Sequence, residues 1–206
     1  MSEGPSSGGG GRRAGQGRAG AVVGPVPDGR DPVAYDRLRR RVLWALPTGL
    51  YLVGSRASLD GSVRANLMTA NSVMQVSVAP KLVAVAVDRD ALTRRLIDAG
   101  RCFTVCLLAR EDRAVVRRFV KPVAEVALDA GGRLSALDGE PVTEARTGAP
   151  VLLRSPAWLD CAVRESRELG SHVLYLGEVV DAGGPPDGQA MPELLRMEDT
   201  RMSYGG

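Results

Sequence analysis

The sequence predicts a mainly β fold, in which short antiparallel strands close into a barrel with a few flanking helices. Segments rich in Val, Leu and Ala, bounded by turn-forming residues, recur along most of the chain after residue 50. Only three segments have helical spacing, and they do not alternate regularly with strands as βαβ units do. A chain of 206 residues is long enough for one such domain and a tail.

The first element expected is a helix that begins at Asp31-Pro32, because Asp is a favoured N-cap and proline suits the first helical position. Pro47-Thr48-Gly49 is expected to end this helix. Two further helices are expected at residues 90–99 and 111–119. The apolar residues of the first helix recur every four positions and form one stripe: Ala34, Leu38, Val42 and Leu46.

The strands are separated by clear turn signals. Asp60-Gly61 is typical of a hairpin between the first two strands. Residues 82–87 are nearly all Val and Ala, as expected for a strand that is buried on both faces. Residues 129–150 are rich in Gly, Asp, Thr and Pro and are expected to be an excursion, and residues 183–192 a loop. Strands are expected at 50–54, 63–68, 73–79, 82–87, 102–107, 157–166 and 172–181.

Residues 1–30 consist largely of Gly, Pro, Ser, Ala and Arg, and they bury too little apolar surface to offset the entropy of ordering. We expect them to form a disordered tail, with the folded domain at residues 31–206. The arginines also suit a transit peptide, but the many glycines disfavour the amphipathic helix that such a peptide needs.

Charge and composition limit the partners that the protein can have. The net charge is +3, and the four Arg, one Glu and one Asp of the tail leave 3 − 2 = +1 for the rest. Aromatic residues, on which bases would stack, make up only 4% of the chain, so no nucleic-acid partner is expected. No apolar run has the length of a membrane-spanning helix, and three cysteines make no disulfide framework. A cytoplasmic protein without a membrane partner is expected.

Few residues are available for acid–base or metal chemistry. His172 is the one histidine of the chain, so any serine triad would have to use it. No P-loop occurs, which argues against a Walker-type ATPase. Cys102 and Cys106 lie within one expected strand rather than in a zinc knuckle, and Cys161 is far along the chain. Buried free thiols are therefore expected, and no metal site.

The most informative loop is Thr69-Ala70-Asn71-Ser72, which connects two expected strands. Its small side chains, hydroxyls, amide and backbone N–H groups can approach a flat polar ring closely and hydrogen-bond to it. Arg89 and Thr93 flank the start of an expected helix, where charge and the helix N-terminus suit a phosphate. An ordinary turn and a solvated arginine remain the alternative interpretation of these residues.

The same stretch resembles the flavin reductase-like family, whose FMN-binding split barrel carries the pattern T-A-x-S-x-x-x-V-S-x-x-P-x-L-V-x-V-x-V, followed by S/T-x-T before a helix. Residues 46–50, 100–105 and 170–179 are similar to further family segments, so that the resemblance spans about residues 35–180. The matching residues of the first pattern are Thr69, Ala70, Ser72, Val76, Ser77, Pro80, Leu82, Val83, Val85, Val87 and Thr93.

The resemblance implies a homodimeric FMN-binding split barrel that transfers hydride from NADH or NADPH to flavin, with FAD as another possible substrate. A monooxygenase that receives reduced flavin is the implied partner. His172 would face the flavin or the nicotinamide as the catalytic residue. The implied cofactor-binding residues are Thr48, Thr69, Ala70, Asn71, Ser72, Arg89, Thr93, Phe119 and Lys121.

Three alternatives stay open at this point. Ser171 stands where the family has the aspartate of its G-D-H segment, which favours an FMN-binding electron carrier without NAD(P)H oxidation. The second alternative is a split barrel that binds no flavin. The third is that His172 is a structural residue at the start of a strand. A self-complementary apolar patch is expected to form the two-fold dimer: Trp44, Leu50, Tyr51, Trp158 and Leu159.

Overall fold

A computed structural model describes residues 22–200 and residue 202. Within these residues the chain forms three α-helices: α1 (Pro32–Trp44), α2 (Leu92–Gly100) and α3 (Arg113–Arg118). The strands are β1 (Tyr51–Leu59), β2 (Ser62–Ala70), β3 (Val73–Ser77), β4 (Leu82–Asp88), β5 (Cys102–Leu107), β6 (Val126–Leu128), β7 (Leu134–Leu137), β8 (Glu140–Glu144), β9 (Pro150–Leu152), β10 (Ala157–Leu169) and β11 (His172–Gly183). The expected mainly β fold is confirmed.

The hairpin expected at Asp60-Gly61 is present. Both residues have positive φ angles, 52° and 76°, as the central pair of a type I′ turn requires. The two strands then pair in register from Leu59 opposite Ser62 to Tyr51 opposite Ala70. Because side chains alternate between faces, this turn determines which residues of β2 point into the core.

Seven strands form one antiparallel sheet in the order β2-β1-β5-β10-β11-β4-β3. The expectation of a closed barrel is not confirmed, because β2 and β3 are the two edges of this sheet and do not pair with each other. The edge of β2 is instead occupied at Thr69, whose N–H donates to the carbonyl of Phe119 at 3.0 Å. An edge strand is thereby protected by a loop rather than by another strand.

The excursion expected at residues 129–150 contains regular structure, so this expectation needs correction. β7 and β8 lie wholly within it, and together with β6 and β9 they form a four-stranded sheet in the order β6-β7-β8-β9. The strands have only three to five residues each. Because the strands are so short, most residues of the segment 129–150 lie outside strands. Its composition therefore did not indicate a sheet.

The buried apolar side chains form two clusters. One includes Leu50, Leu67 and Phe119, together with residues of the four-stranded sheet. The other lies between the seven-stranded sheet and α2 and includes Ile97 and Phe103. Packing there is tight: a Cβ added to Gly177 would lie 2.6 Å from the Phe103 ring.

Residues as far as Leu46 form one compact unit, and a second unit begins at Pro47. In the first unit, the Asp31 carboxylate accepts a hydrogen bond from the N–H of Ala34 at 2.7 Å, which confirms the expected N-cap of α1. Arg39 donates to the carbonyls of Val23 and Pro25. Residues 22–30 of the expected tail are therefore partly tied to α1, whereas residues 1–21 lie outside the described part of the chain. No helix that the structure describes is long and apolar enough to cross a membrane.

The apolar patch expected at the dimer interface does not form a continuous surface. The prediction is wrong for Leu50, which is buried. Leu50 is only 1% exposed, because the C-terminal segment crosses it: the N–H of Leu50 donates to the carbonyl of Leu195 at 3.2 Å. Leu195 packs in the same core cluster. Tyr51, Trp158 and Leu159 are half-buried, and only Trp44 is largely exposed.

Replacing Leu50 is therefore expected to weaken the fold itself. Leu50→Ala should lower the free energy of unfolding by about 2–5 kcal/mol, since it leaves a cavity in the core. Leu153→Ala is the matched control, because Leu153 is 65% exposed; its effect should stay within about 0.5 kcal/mol. Urea denaturation of both variants measures the difference. Equal stabilities would contradict the burial of Leu50.

Candidate functional site

Three of the sequence-predicted segments meet at the C-terminal end of β4. The carbonyl of Ser72 accepts a hydrogen bond from the N–H of Ala86 at 3.1 Å. On the other side of the same strand, His172 lies opposite Asp88 in the pairing of β11 with β4. Arg89 follows directly, and its N–H donates to the carbonyl of Ser171 at 3.0 Å. Antiparallel pairing thus brings together residues that are about a hundred positions apart.

A fourth segment approaches from the edge of β2. The hydrogen bond between Thr69 and the Phe119 carbonyl places residues 119–121 beside the end of β2, where the loop 71–72 begins. Lys121 is exposed in this segment. Thr48 lies at the same end of the β1–β2 hairpin, because Tyr51 is paired with Ala70. The ten predicted site residues therefore fall into two groups. Arg89, Thr93 and His172 lie at or after the end of the sheet where β4 ends, whereas Thr48, Thr69, Ala70, Phe119 and Lys121 lie at or near its other end, and Asn71 and Ser72 form the loop that connects the two groups.

Several of these residues are buried by the fold and do not present their side chains to a ligand. The Thr69 hydroxyl donates to the Val116 carbonyl at 2.6 Å, and Thr93 is 0% exposed. The Phe119 ring is in the core, and Ala70 is also buried. The side chains of Thr69, Thr93 and Phe119 make their contacts within the protein, and the assignment of these residues to cofactor binding stays a prediction.

Sequence reasoning missed Asn66, which is 3% exposed on β2. Its amide donates to the Thr93 hydroxyl at 2.8 Å, and its carbonyl oxygen accepts from the N–H of Val123 at 2.8 Å. The available signal was its position: in the expected strand 63–68, an amide stands one residue before the apolar Leu67 and Met68. Buried amides require partners, so its presence predicts a network.

The side chains that remain accessible have complementary chemistry. Asn71 is half-buried, whereas Ser72, Arg89 and Lys121 are exposed. The Ser72 hydroxyl lies 3.3 Å from the Asn71 side-chain oxygen. An amide and a hydroxyl can hydrogen-bond to the edge of a polar ring, and two cations suit an anionic group.

The surroundings of Arg89 are those of a helix start. α2 begins at Leu92, and no side chain caps it, so its first N–H groups are open to an anion. Two carboxylates flank Arg89. That of Asp88 accepts a hydrogen bond from the N–H of Asp90 at 2.8 Å, which stabilises the turn between β4 and α2.

His172 is half-buried at the first position of β11. Its Nδ1 lies 2.9 Å from the hydroxyl oxygen of Ser171. A hydroxyl can donate to or accept from an imidazole nitrogen, and in either case the contact restricts the rotation of the ring. Ser171 can therefore orient the imidazole through Nδ1, as a carboxylate at residue 171 could also do.

The C-terminal segment fixes the position of Thr48. The Thr48 carbonyl accepts from the N–H of Met197 at 3.1 Å. Arg110 holds the same segment through ion pairs with Asp199 at 2.8 Å and with Glu193 at 2.6 Å. The Thr48 hydroxyl is buried and has no hydrogen-bond partner among the described residues. Such a group is a candidate to bond with a ligand atom.

The three cysteines are buried, and the structure gives them no chemical role. Burial is the main cause that raises the pKa of Cys161 to about 12, and burial also raises the pKa values of Cys102 and Cys106. A thiol with a raised pKa is a poor nucleophile at neutral pH. Among residues 22–200 and 202, no group of three or more His, Cys, Asp or Glu side chains could hold a metal ion.

Comparison with known proteins assigns the family. The sequence matches the flavin reductase like domain over residues 43–203, which is most of the chain. The chain belongs to the flavin reductase-like family. The matched range contains every strand of both sheets and all ten predicted site residues.

Three proteins illustrate the similarity. An NADH-dependent FAD reductase of Streptomyces globisporus is 31% identical over 171 residues, which cover 82% of this chain and 87% of that protein. An NADH:riboflavin 5'-phosphate oxidoreductase of Streptomyces pristinaespiralis is 33% identical over 139 residues, 66% of this chain and 72% of that protein. BorF is the flavin reductase component of a bacterial two-component tryptophan halogenase. Its crystal structure matches with a TM-score of 0.57 and 26% identity over 72% of this chain and 87% of that one.

Proposed function

We propose that this protein is an NAD(P)H:flavin oxidoreductase that supplies reduced flavin. The observation that carries the proposal is that a polar loop, two cations and an imidazole lie on segments that hydrogen bonds and strand pairing connect around residues 69–72, in a member of the flavin reductase-like family. The loop is Asn71-Ser72, the cations are Arg89 and Lys121, and the imidazole is that of His172. These groups can bind a flavin by its ring and by its phosphate.

FMN is the cofactor that this arrangement fits best. A phosphate carries charge that the exposed Arg89 and the uncapped start of α2 can bind. The relative from Streptomyces pristinaespiralis acts on riboflavin 5'-phosphate, which is FMN. FAD contains the same ring and is the alternative, since the relative from Streptomyces globisporus is an FAD reductase.

Each accessible residue has a role in this proposal. Arg89 and the first turn of α2 hold the phosphate, whereas Asn71 and Ser72 hydrogen-bond to the edge of the ring. Lys121 approaches from the opposite segment and attracts the anionic cofactor. His172, whose Nδ1 contacts the Ser171 hydroxyl, is proposed to face the flavin or the nicotinamide of the donor. The flavin itself supplies the redox chemistry by accepting a hydride, so the protein needs to bind and orient but not to abstract a proton.

Two further aspects of the assembly are proposals. We propose that the seven-stranded sheet curls into the split barrel of this family, within a domain that spans residues 31–206. We also propose a two-fold homodimer through the exposed face of β3 and the residue after it. Three apolar side chains alternate there and are 45–75% exposed: Met74, Val76 and Val78.

The product would be used by a second enzyme. BorF provides flavin reduction for a two-component halogenase, and we propose a flavin-dependent monooxygenase as the corresponding partner of this protein. Because released reduced flavin reacts with oxygen, the partner would have to bind it quickly and therefore lie in the same compartment. We propose that this compartment is the cytoplasm, where NADH and NADPH are available.

An FMN-binding electron carrier is the second candidate. The observation that favours it is Ser171, which leaves no carboxylate at the residue before His172. Without a carboxylate at residue 171, the imidazole would orient the nicotinamide less strongly. The carrier would bind FMN as proposed but would receive its electrons from another protein.

Turnover distinguishes the two candidates. When purified protein, FMN and NADH are mixed under air, the absorbance of NADH should fall. The fall should be faster than in mixtures that lack the protein or lack FMN. NADPH is tested in parallel to identify the donor. If FMN binds but neither nicotinamide is consumed, the carrier is correct. If neither FMN nor FAD binds, both candidates are wrong.

Removal of Arg89 should weaken the binding of FMN selectively. Arg89→Ala deletes a charge-assisted contact, so FMN affinity should fall by about 10–100-fold, or ~1.5–3 kcal/mol. Riboflavin has no phosphate and should bind to the wild type and to the variant equally. Fluorescence titration measures both, with Arg95→Ala as the control because Arg95 is also an exposed arginine in this region. Unchanged FMN affinity in Arg89→Ala would show that the phosphate lies elsewhere.

A further inference from the structure

A buried relay of hydrogen bonds links the two segments that flank the proposed flavin site. Its centre is Asn66, whose amide donates to the Thr93 hydroxyl and whose carbonyl oxygen accepts from the N–H of Val123, each at 2.8 Å. Thr93 lies in the first turn of α2, four residues after Arg89. Val123 lies two residues after Lys121. One side chain therefore contacts both the segment with Arg89 and the segment with Lys121.

The relay is closed to solvent. Asn66 is 3% exposed, Thr93 is 0% exposed and Val123 is 5% exposed. Breaking either contact leaves a buried polar group without a partner, and water cannot easily replace it. The relay therefore restricts the distance between α2 and the segment after α3 more strongly than a contact at the surface would.

We propose that Asn66 and Thr93 are positioning residues, which place the first turn of α2, and with it Arg89, correctly for the phosphate of FMN. This inference rests on the proposed flavin site. Neither residue touches the cofactor, because both are buried and their polar atoms contact each other. Their effect on binding passes through the position of Arg89 and of the helix N–H groups.

A second side chain, that of Tyr175, anchors α2 chiefly near its end and provides a control; its hydroxyl also lies 3.4 Å from the carbonyl of Arg94. The Tyr175 hydroxyl donates to the Asp98 carboxylate at 2.6 Å, and Arg94 forms an ion pair with the same carboxylate at 2.8 Å. Asp98 lies near the end of α2, away from the first turn. Loss of the Tyr175 hydroxyl should therefore weaken the attachment of the helix without moving Arg89.

The test compares FMN with riboflavin in four variants. Thr93→Val removes the hydroxyl at nearly constant shape, and Thr93→Ala is a second disrupting variant in case the first does not fold. Thr93→Ser keeps the hydroxyl, and Tyr175→Phe is the control. Fluorescence titration gives both dissociation constants, and urea denaturation gives the free energy of unfolding.

Thr93→Val, or Thr93→Ala in its place, should weaken FMN binding by about tenfold, while riboflavin affinity changes by less than about twofold. Thr93→Ser should restore the preference for FMN. Tyr175→Phe should lower the free energy of unfolding and leave the ratio of the two affinities unchanged. A role in folding alone would not produce this difference between the two ligands.

Two results would overturn the inference. If the disrupting variants lose FMN and riboflavin equally, or if Tyr175→Phe changes the ratio as much as they do, the relay only supports the fold. The proposed function then survives, because the wild type still binds flavin. If the wild type binds neither ligand, the proposed function fails and the inference fails with it.

Discussion

The protection of the free edge of β2 is the constraint on which the rest of this structure depends. An edge strand presents unpaired N–H and C=O groups, and here the carbonyl of Phe119 pairs with one of them, the N–H of Thr69. Thr69 bonds to the carbonyls of Val116 and Phe119, and Asn66 accepts from the N–H of Val123. β2 and β3 remain the two edges of the sheet. These contacts place Lys121 beside the loop 71–72, so that the device that protects the edge also forms one wall of the site.

This constraint separates the residues of the site into a buried group and an exposed group. The threonines of the binding pattern are used by the fold, because their hydroxyls are buried and hydrogen-bonded. The groups left for a ligand are those at the turns: Ser72, Arg89, Lys121 and His172. Turns carry function here because the strands that end in them are held by the sheet and by α2. In the function that we propose, the buried residues position the site and the exposed residues bind the flavin.

Most of the fold could be predicted from the sequence because its signals are local. The Asp60-Gly61 turn, the cap at Asp31 and the apolar run at residues 82–87 each determine their own element. The small sheet within residues 129–150 could not be predicted, because its strands are too short to show alternation. The burial of Leu50 could not be predicted either, because it depends on Leu195, far away in the sequence.

The site was predicted as a set of segments, and the resemblance to the family supplied that set. What the sequence could not provide was the direction of each side chain. Whether Thr93 points to solvent or to Asn66 is decided by the pairing of β2 with β1 and by the position of α2, which are tertiary features. A polar residue that is typical of a binding pattern has two uses, and only the fold distinguishes them.

We propose that FMN binds where the loop 71–72 connects the end of β4 with the segment 119–121. Hydrogen–deuterium exchange with and without FMN tests it most directly, since bound ligand slows the exchange of the amides that it covers. Our account predicts slower exchange in peptides that contain residues 69–72, 89–93, 119–123 and 171–172, and no change in β6–β9. Protection confined to the four-stranded sheet, or no protection at saturating FMN, would contradict it.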